Sequence, residues 1–228
     1  MPTAIITGAS RGLGLALARA LAGRGWRLVL DAREPGPLEA ARTELAARCE
    51  VVAVAGDVAD PAHRAALVEA AGAPVHLLVN NASVLGPSPQ PALADYPLDE
   101  LERVLRINTV APLALIQLVL PRLAPGATLL NISSDAAVEA YPGWGGYGAS
   151  KAALDQLSGV LGAERPDLRV HAVDPGDMNT RLQQEAFPGE DISDRPPPEA
   201  SVPGLLALIE GNHPSGRHQA RALAEAPA

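Results

Sequence analysis

Short apolar runs that alternate with longer amphipathic segments constrain the fold of this chain most strongly. The runs are apolar rather than alternately polar and apolar, which is typical of strands buried on both faces of a parallel sheet. The segments between them carry leucine or alanine at the three- and four-residue spacing of helices. This pattern predicts an α/β fold, a doubly wound parallel sheet with helices on both faces. The predicted strands are 4–6, 28–30, 51–54, 77–79, 128–132 and 169–173, and the predicted helices are 13–24, 37–48, 61–71, 97–123 and 147–164.

Length and composition indicate one domain that spans residues 1–228. A hydrophobic share of 47% with 19% charged residues is enough for a core and excludes an intrinsically disordered chain. Two proline-rich stretches, 86–97 and 180–203, interrupt the pattern and predict long loops, which in compact domains often carry function. The final residues, 220–228, are predicted to fray.

The charge balance argues against several kinds of partner. With 18 basic and 26 acidic side chains the net charge is −8 and the cations are scattered, so we expect no binding to nucleic acid or to a membrane surface. The N-terminal residues lack the basic and apolar regions of a signal peptide, and no stretch approaches about 18 consecutive apolar residues. The single cysteine, Cys49, cannot form an internal disulfide. We expect a soluble, cytoplasmic protein.

A glycine-rich turn follows the first predicted strand and opens the first predicted helix. Gly8 permits the turn off the strand, Gly12 allows a backbone to approach a pyrophosphate, and Gly14 allows close helix packing. The helix N-terminus would face such an anion favourably. The spacing matches neither G-x-G-x-x-G nor the P-loop, so an ordinary glycine turn remains an alternative. The segment reads Thr7-Gly8-Ala9-Ser10-Arg11-Gly12-Leu13-Gly14.

The end of the second predicted strand offers two ways to recognise an adenosine ribose. Its last residues are Asp31-Ala32-Arg33. An acid such as Asp31 can hold a free 2′-hydroxyl, whereas Arg33, together with Arg11, can pair with a 2′-phosphate. Solvated charges with neither role remain a third possibility.

A tyrosine and the only lysine lie four residues apart at the start of a predicted helix. Of the 18 basic residues 17 are arginine, and the remaining one is Lys151. Tyr147 and Lys151 share one helix face. A phenol with a pKa of about 10 is a poor base at neutral pH, and a neighbouring ammonium would stabilise the phenolate. Coincidence remains an alternative, because an isolated Tyr-x-x-x-Lys is common.

Together these motifs resemble the short-chain dehydrogenase/reductase family in its compact single-domain form, from Thr7 to about Thr180. The resemblance implies a Rossmann fold and an NAD(P)-dependent oxidoreductase that interconverts a carbonyl and a primary or secondary alcohol. The markers, in chain order, are the glycine turn, Asp57-Val58, Asn80-Asn81-Ala82, Asn108, Ser134, Tyr147 with Lys151, and Pro175-Gly176 with Thr180.

The resemblance also implies a role for each catalytic candidate. Tyr147 would be the general acid in reduction and the base in oxidation, Lys151 would lower its pKa and hold the nicotinamide ribose, and Ser134 would donate to the substrate oxygen. Asn108 would fix a water that connects Lys151 to solvent. Ser133 in place of Ser134, and Tyr141 as a second phenol, remain alternatives. The implied cofactor-binding residues are Gly8, Ser10, Arg11, Gly12, Leu13, Gly14, Arg33, Asp57, Val58, Asn80, Ala82, Tyr147, Lys151, Pro175, Gly176 and Thr180.

Two features set this chain apart within the resemblance. Ser83 stands where the family usually has the glycine of Asn-Asn-Ala-Gly, which could alter the turn beside the cofactor. The strand end with Arg33 resembles the NADP-using members, so we favour NADP(H) over NAD(H). A non-catalytic sensor or scaffold, an NAD-dependent alcohol dehydrogenase and a sugar-nucleotide epimerase or lyase remain competing hypotheses.

The resemblance places the substrate pocket around the 180–203 loop and predicts assembly through the helices 97–123 and 147–164. The pocket candidates are mostly apolar, which suggests an apolar carbonyl or alcohol as the partner molecule, and a homodimer or homotetramer is expected. The five histidines show no spacing typical of a metal site. The pocket candidates are Leu85, Ala136, Tyr141, Trp144, Met178, Leu182 and Phe187.

Overall fold

A computed structural model of the chain describes residues 1–225. The strands are β1 (Thr3–Ile6), β2 (Arg27–Ala32), β3 (Val51–Ala55), β4 (Val75–Asn80), β5 (Leu123–Ile132), β6 (Arg169–Asp174) and β7 (Gly216–Gln219). The helices are α1 (Gly12–Ala22), α2 (Pro35–Leu45), α3 (Pro61–Ala71), α4 (Leu98–Leu105), α5 (Ala111–Val119), α6 (Gly145–Glu164), α7 (Arg181–Ala186), α8 (Val202–Glu210) and α9 (Ala220–Glu225).

The seven strands form one parallel sheet in the order β3-β2-β1-β4-β5-β6-β7. Successive strand residues face opposite layers, so Ala4 and Ile6 pack under α1, α2 and α8, while Ile5 packs under α3, α5 and α6. Both layers exclude water, which explains why the strands are apolar throughout. The predicted fold class is confirmed.

The predicted helix 97–123 is interrupted where α4 meets α5. Residues 106–110 are π-helical, and the Ala111 N–H bonds to the Arg106 carbonyl. Pro112 has no N–H to offer the carbonyl of Asn108 four residues earlier, which disfavours regular α-helical spacing here. The helical stretch Leu98–Arg122 is long and apolar enough to cross a membrane, although its apolar residues are not consecutive. Half of its most apolar window is buried in the protein, as in a core helix.

The C-terminal quarter is more regular than expected. The 180–203 segment contains α7 and a short 3₁₀ turn, and α8, β7 and α9 follow it. The prediction of a fraying tail is wrong for residues 220–225, because Ala220 is fully buried and its carbonyl occupies the space that a Cβ on Gly204 would need. Residues 226–228 lie outside the described part of the chain. β7 escaped prediction because an edge strand of Gly-Arg-His-Gln carries no apolar signal.

Candidate active site

A cavity of about 490 Å³ opens at the carboxyl ends of the strands, between β1 and β4. The strand order reverses at this point, so the two crossovers leave in opposite directions and a crevice remains between them. One end of the cavity reaches Arg33, and the other reaches Tyr147 and Lys151. The cavity thus runs along the sheet edge from the end of β2 to the end of β5, which suits an elongated ligand with two chemically different ends.

The glycine turn is tied to the end of β4. The Asn81 side-chain amide donates to the carbonyls of Thr7 and Gly8, at 2.8 and 3.1 Å. Gly8 has φ +65° and a Cβ there would lie 2.9 Å from the Ala82 Cα, so no other residue fits this position. A Cβ on Gly14 would lie 2.6 Å from the Gly8 carbonyl oxygen, so Gly14 permits close packing of α1 on the turn.

The N-terminus of α1 presents free donors to the cavity. Gly12 at its first residue has φ +55°, and the preceding Arg11 provides no side-chain cap. The first turn of α1 holds no acidic residue. Uncapped N–H groups at a positive helix terminus suit a phosphate or pyrophosphate.

Asp31 lines the cavity, and two neighbouring groups engage its carboxylate. It is buried, its Oδ1 lies 2.6 Å from His63 Nε2, and its Oδ2 accepts a 3.4 Å hydrogen bond from the Gly8 N–H. Burial raises the pKa of this carboxyl, and the hydrogen bond with His63 opposes that effect. The histidine is itself buried on α3. Asp31 thus stabilises the glycine turn through its hydrogen bond with the Gly8 N–H.

Arginines surround an exposed point at the end of β2. Arg11 Nη2 donates to Glu34 at 2.8 Å, and Arg181 Nη1 lies 3.4 Å from the other carboxylate oxygen. Together with Arg33 these guanidiniums lower the pKa of Glu34, with the hydrogen bond from Arg11 as the largest cause. The three guanidiniums surround the carboxylate of Glu34 and together could bind an anion in its place. The sequence pattern indicated Arg11 and Arg33 but not Arg181, because α7 approaches the end of β2 only in the folded chain.

The other cofactor candidates divide into residues that line the cavity and residues that do not. Asn80 donates to Asn131 Oδ1 at 2.8 Å inside the sheet, and Asp57 caps its own loop by accepting from the Ala59 N–H at 2.8 Å. Neither lines the cavity, and Gly176 lines only a smaller neighbouring cavity. The candidates that do line the large cavity are Gly8, Ser10, Arg11, Gly12, Leu13, Arg33, Val58, Ala82, Tyr147, Lys151, Pro175 and Thr180.

Two glycines allow the start of α6 to bring Tyr147 into the cavity. A Cβ on Gly146 would overlap the ring of Tyr96, and one on Gly148 would lie 2.6 Å from the Ala136 carbonyl oxygen. Tyr147 between them is 6% exposed and packs edge-on against Trp144, with ring centroids 5.7 Å apart. The helix start is therefore wedged between the loop after β4 and the turn after β5.

Burial governs the protonation of the Tyr147–Lys151 pair. It raises the pKa of Tyr147 and lowers the pKa of Lys151 to about 8, against an opposing effect of Asp155. Lys151 Nζ donates to the Ile132 carbonyl at 2.7 Å and lies 5.5 Å from the Tyr147 ring centroid. Burial is thus the dominant effect on the phenol, so the pKa of Tyr147 lies above its ordinary value. Tyr147 is a neutral phenol that can act as an acid.

The serine beside the phenol is Ser134. The hydroxyls of Ser83 and Ser134 both lower the pKa of Tyr147, against the larger effect of burial. Ser134 caps a 3₁₀ turn by accepting from the Ala136 N–H at 3.2 Å. The alternative phenol, Tyr141, is 41% exposed and bonds to Asp135 at 3.1 Å, away from Lys151.

Asn108 is buried in the π-helical segment with its side chain already engaged. Its amide donates to the Val84 carbonyl at 2.9 Å and to Ser150 Oγ at 3.0 Å, and its Oδ1 accepts from the Val84 N–H at 2.9 Å. A water held by Asn108 would therefore bind its main-chain carbonyl, which Pro112 leaves without an α-helical donor. The side chain itself anchors the loop after β4.

Apolar side chains form the wall next to Tyr147. Trp144 and Phe187 are in contact, with ring centroids 6.1 Å apart. A small cavity of about 60 Å³ lies between this wall and the serine turn, and Met178 lines both cavities. Of the predicted pocket residues, Trp144, Met178 and Leu182 line a cavity, whereas Leu85, Ala136, Tyr141 and Phe187 line neither of the two. The apolar cluster comprises Leu85, Ala136, Tyr147, Trp144, Leu182 and Ala186.

Known proteins share both the sequence pattern and the fold. The family model described as short chain dehydrogenase matches residues 2–191. Mouse sepiapterin reductase is 36% identical over 199 residues, which cover 80% of this chain and 76% of that protein. A Pseudomonas syringae protein assigned as a short chain dehydrogenase superposes with a TM-score of 0.89 at 28% identity, with 96% of this chain and 94% of that chain covered. A Shigella flexneri protein with the same assignment, crystallised with NADP, has a TM-score of 0.86 at 25% identity and covers 96% and 97%.

Alanine at Gly148 should destabilise the protein, whereas alanine at Gly159 in the same helix should not. The new Cβ at Gly148 meets a backbone carbonyl at 2.6 Å, and overpacking of this kind costs about 1–3 kcal/mol. A Cβ on Gly159 would have no atom within 4 Å among the described residues, so Gly159→Ala should stabilise by about 0.5–1 kcal/mol. Urea denaturation of both variants measures the difference, and equal midpoints would contradict the wedged geometry of the helix start.

Proposed function

Since this chain belongs to the short-chain dehydrogenase/reductase family and is an NAD(P)-dependent oxidoreductase, we propose that it interconverts a carbonyl and a primary or secondary alcohol, with NADP(H) as the preferred cofactor. The observation that carries the proposal is the position of Tyr147. Its buried phenol lies where the elongated cavity meets the apolar wall, and Lys151 lies one helical turn behind it.

The residues around the cavity fit a dinucleotide. Gly8 and Gly12 leave room for a close approach to the backbone, and the uncapped start of α1 offers donors to a pyrophosphate. The cofactor supplies the hydride that reduces the carbonyl carbon. Lys151 would hold the nicotinamide ribose at the far end of the cavity, and Pro175 and Thr180 would border the nicotinamide.

Tyr147 would supply the proton in the reductive direction. Because burial raises the pKa of Tyr147, the group stays protonated around neutral pH and can donate its O–H to the developing alkoxide. Ser134 would donate to the same substrate oxygen and orient it. Lys151, with its pKa lowered to about 8, can return a proton to Tyr147, and the Asn108 carbonyl would hold the water that refills Lys151.

Replacement of Tyr147 by phenylalanine should abolish turnover and leave the fold unchanged. The substitution removes the hydroxyl and keeps the ring contacts with Trp144. General acid catalysis is worth about 10²–10⁴-fold, so kcat should fall at least 100-fold. A panel of neutral ketones, aldehydes and secondary alcohols, followed by NADPH absorbance, provides the measurement.

Tyr141→Phe is the matched control, since it makes the same change on an exposed phenol and should keep full activity. Activity that survives Tyr147→Phe would refute the mechanism. A wild-type protein that binds NADPH and turns over no compound in the panel would favour the sensor hypothesis.

Two observations support NADP(H). Asp31 is engaged by His63 and the glycine turn, so its carboxylate is less available to a 2′-hydroxyl than a free acid at this strand end would be. Arg11, Arg33 and Arg181 already surround a carboxylate there, and the exposed ion pairs of Glu34 are weak enough for a phosphate dianion to replace them. The NADP complex of the Shigella flexneri relative agrees with this preference.

Arg33→Ala should weaken NADPH binding about tenfold and leave NADH binding unchanged. Loss of one charge-assisted contact to a phosphate is worth about 1.5–3 kcal/mol, and each 1.4 kcal/mol is a tenfold change in affinity. Titration of both reduced cofactors by fluorescence measures the effect. Arg48→Ala, which alters an exposed arginine beyond α2, is the control. Equal losses for both cofactors would refute the 2′-phosphate site.

The pocket favours a neutral, largely apolar substrate. Trp144, Leu182 and Met178 supply apolar surface, and the small cavity beside Tyr147 is bordered by the carboxylates of Asp135 and Asp174. These charges would repel an anionic carbonyl compound. We propose that the 180–203 region, with α7 at its start, closes over the substrate within the single domain 1–228.

We also propose a cytoplasmic homo-oligomer that pairs through α4, α5 and α6. The exposed apolar side chains here are Leu98 on α4, Val110 in the π-helical segment between α4 and α5, Leu118 on α5 and Val160 on α6. Leu115 and Ile116 on α5 are buried in the core, because their side of the helix faces the sheet.

A charge placed on the helix face should dissociate the oligomer. Val110→Glu is expected to produce monomers in sedimentation experiments where the wild type forms dimers or tetramers, because an unpaired charge would be buried at the interface. Val138→Glu introduces the same charge at an equally exposed valine off these helices and should have no effect. A monomeric wild type would refute the assembly.

A further inference from the structure

Ser83 lies in a backbone segment whose path is held on both sides. On one side the Ala82 N–H donates to Thr7 Oγ1 at 3.0 Å, and on the other the N–H and carbonyl of Val84 both bond to the Asn108 side chain at 2.9 Å. The position has ordinary backbone angles, since the described residues include no non-glycine residue with positive φ. The direction of the Ser83 side chain is therefore set by its anchored neighbours.

The Ser83 hydroxyl is buried and lacks a hydrogen-bond partner of normal geometry among residues 1–225. It lines the same cavity as Tyr147, and it lowers the pKa of that phenol, ahead of Ser134 in size of effect. A buried hydroxyl without a partner costs about 1–3 kcal/mol, and neither the turn nor the core gains a bond from this one. A buried hydroxyl that has no other partner among the described residues and lines the cavity of Tyr147 is available to a charged oxygen that forms there.

The surroundings of Tyr147 show why such a group matters. Asp135 in the turn after β5 and Asp174 at the end of β6 disfavour a phenolate, and burial does so more strongly. Lys151 on the same helix directs its ammonium to the Ile132 carbonyl. Within the described part of the chain, the hydroxyls of Ser83 and Ser134 oppose these effects, and Ser134 is also engaged with Asp135 at 2.9 Å.

We propose that Ser83 is a positioning residue for the general acid, whose hydroxyl donates a hydrogen bond to the Tyr147 oxygen as the phenol gives up its proton. This inference rests on the proposed function. In reduction the Tyr147 O–H bond breaks and the O–H bond of the alcohol forms, while the two electrons reach the carbonyl carbon as the hydride from NADPH. Ser83 keeps its own proton and is neither oxidised nor reduced.

The test is the ionisation of Tyr147 itself, measured by ultraviolet phenolate absorbance in the NADP⁺-loaded protein. Subtraction of the Tyr147→Phe titration isolates this tyrosine from Tyr96 and Tyr141. Ser83→Ala and Ser83→Gly should move the midpoint upward by about one pH unit, because a hydrogen bond to a charged oxygen is lost. Ser83→Thr should restore it.

Turnover gives the second readout. Alcohol oxidation requires the phenolate, so kcat should rise with pH to a plateau. In Ser83→Ala the midpoint of this rise should lie about one pH unit higher, so kcat below the midpoint should be about tenfold lower than in the wild type. KM for NADP⁺ should not change. Ser133→Ala is the matched control, since Ser133 also carries a buried hydroxyl in the cavity, without a partner among residues 1–225. Its titration midpoint should equal that of the wild type.

The two proposals fail in different ways. An unchanged midpoint in Ser83→Ala overturns the role of Ser83, whether or not any substrate turns over. A lower melting temperature without a shifted midpoint also overturns it, because Ser83 would then serve the fold alone. Absence of turnover across the substrate panel overturns the proposed function and leaves the titration to decide on Ser83.

Discussion

The hydrogen bonds between Thr7 and the end of β4 are the constraint on which the site depends. The Thr7 hydroxyl accepts from the N–H groups of Asn81 and Ala82, at 3.0 Å each, and donates to the Val79 carbonyl at 3.3 Å. Its capacity of one donor and two acceptors is thus filled. This junction joins the two central strands where the sheet reverses its strand order, so the glycine turn and the loop after β4 are positioned together.

From this junction a continuous set of hydrogen bonds leads to the general acid. Val84 bonds to Asn108, Asn108 bonds to Ser150, and Ser150 Oγ donates to the Tyr147 carbonyl at 2.6 Å. The turn that would bind the pyrophosphate and the helix that carries Tyr147 are therefore parts of one rigid unit. Rigidity of this kind holds a proton donor in register with a hydride donor bound farther along the cavity.

Much of the fold and part of the site followed from local patterns. Strands buried on both faces must be apolar and crossover helices must be amphipathic, so both appear directly in the sequence. The elements that escaped prediction are those without such a pattern: β7 is a polar edge strand, and the break between α4 and α5 depends on hydrogen-bond spacing around Pro112. The role of Asp31 on β2 was equally hidden, because its partner His63 lies on α3, 32 residues farther along the chain.

The sequence by itself determined the parallel α/β architecture, the glycine turn, and the shared face of Tyr147 and Lys151, since these depend on spacing along the chain. Only the tertiary structure decided the protonation of that pair and the partners of the charged groups. A pKa depends on burial and on groups from distant segments, and desolvation is here the largest effect on both members of the pair. The same long-range packing brought Arg181 to Glu34 and the Ser83 hydroxyl to the cavity of the phenol.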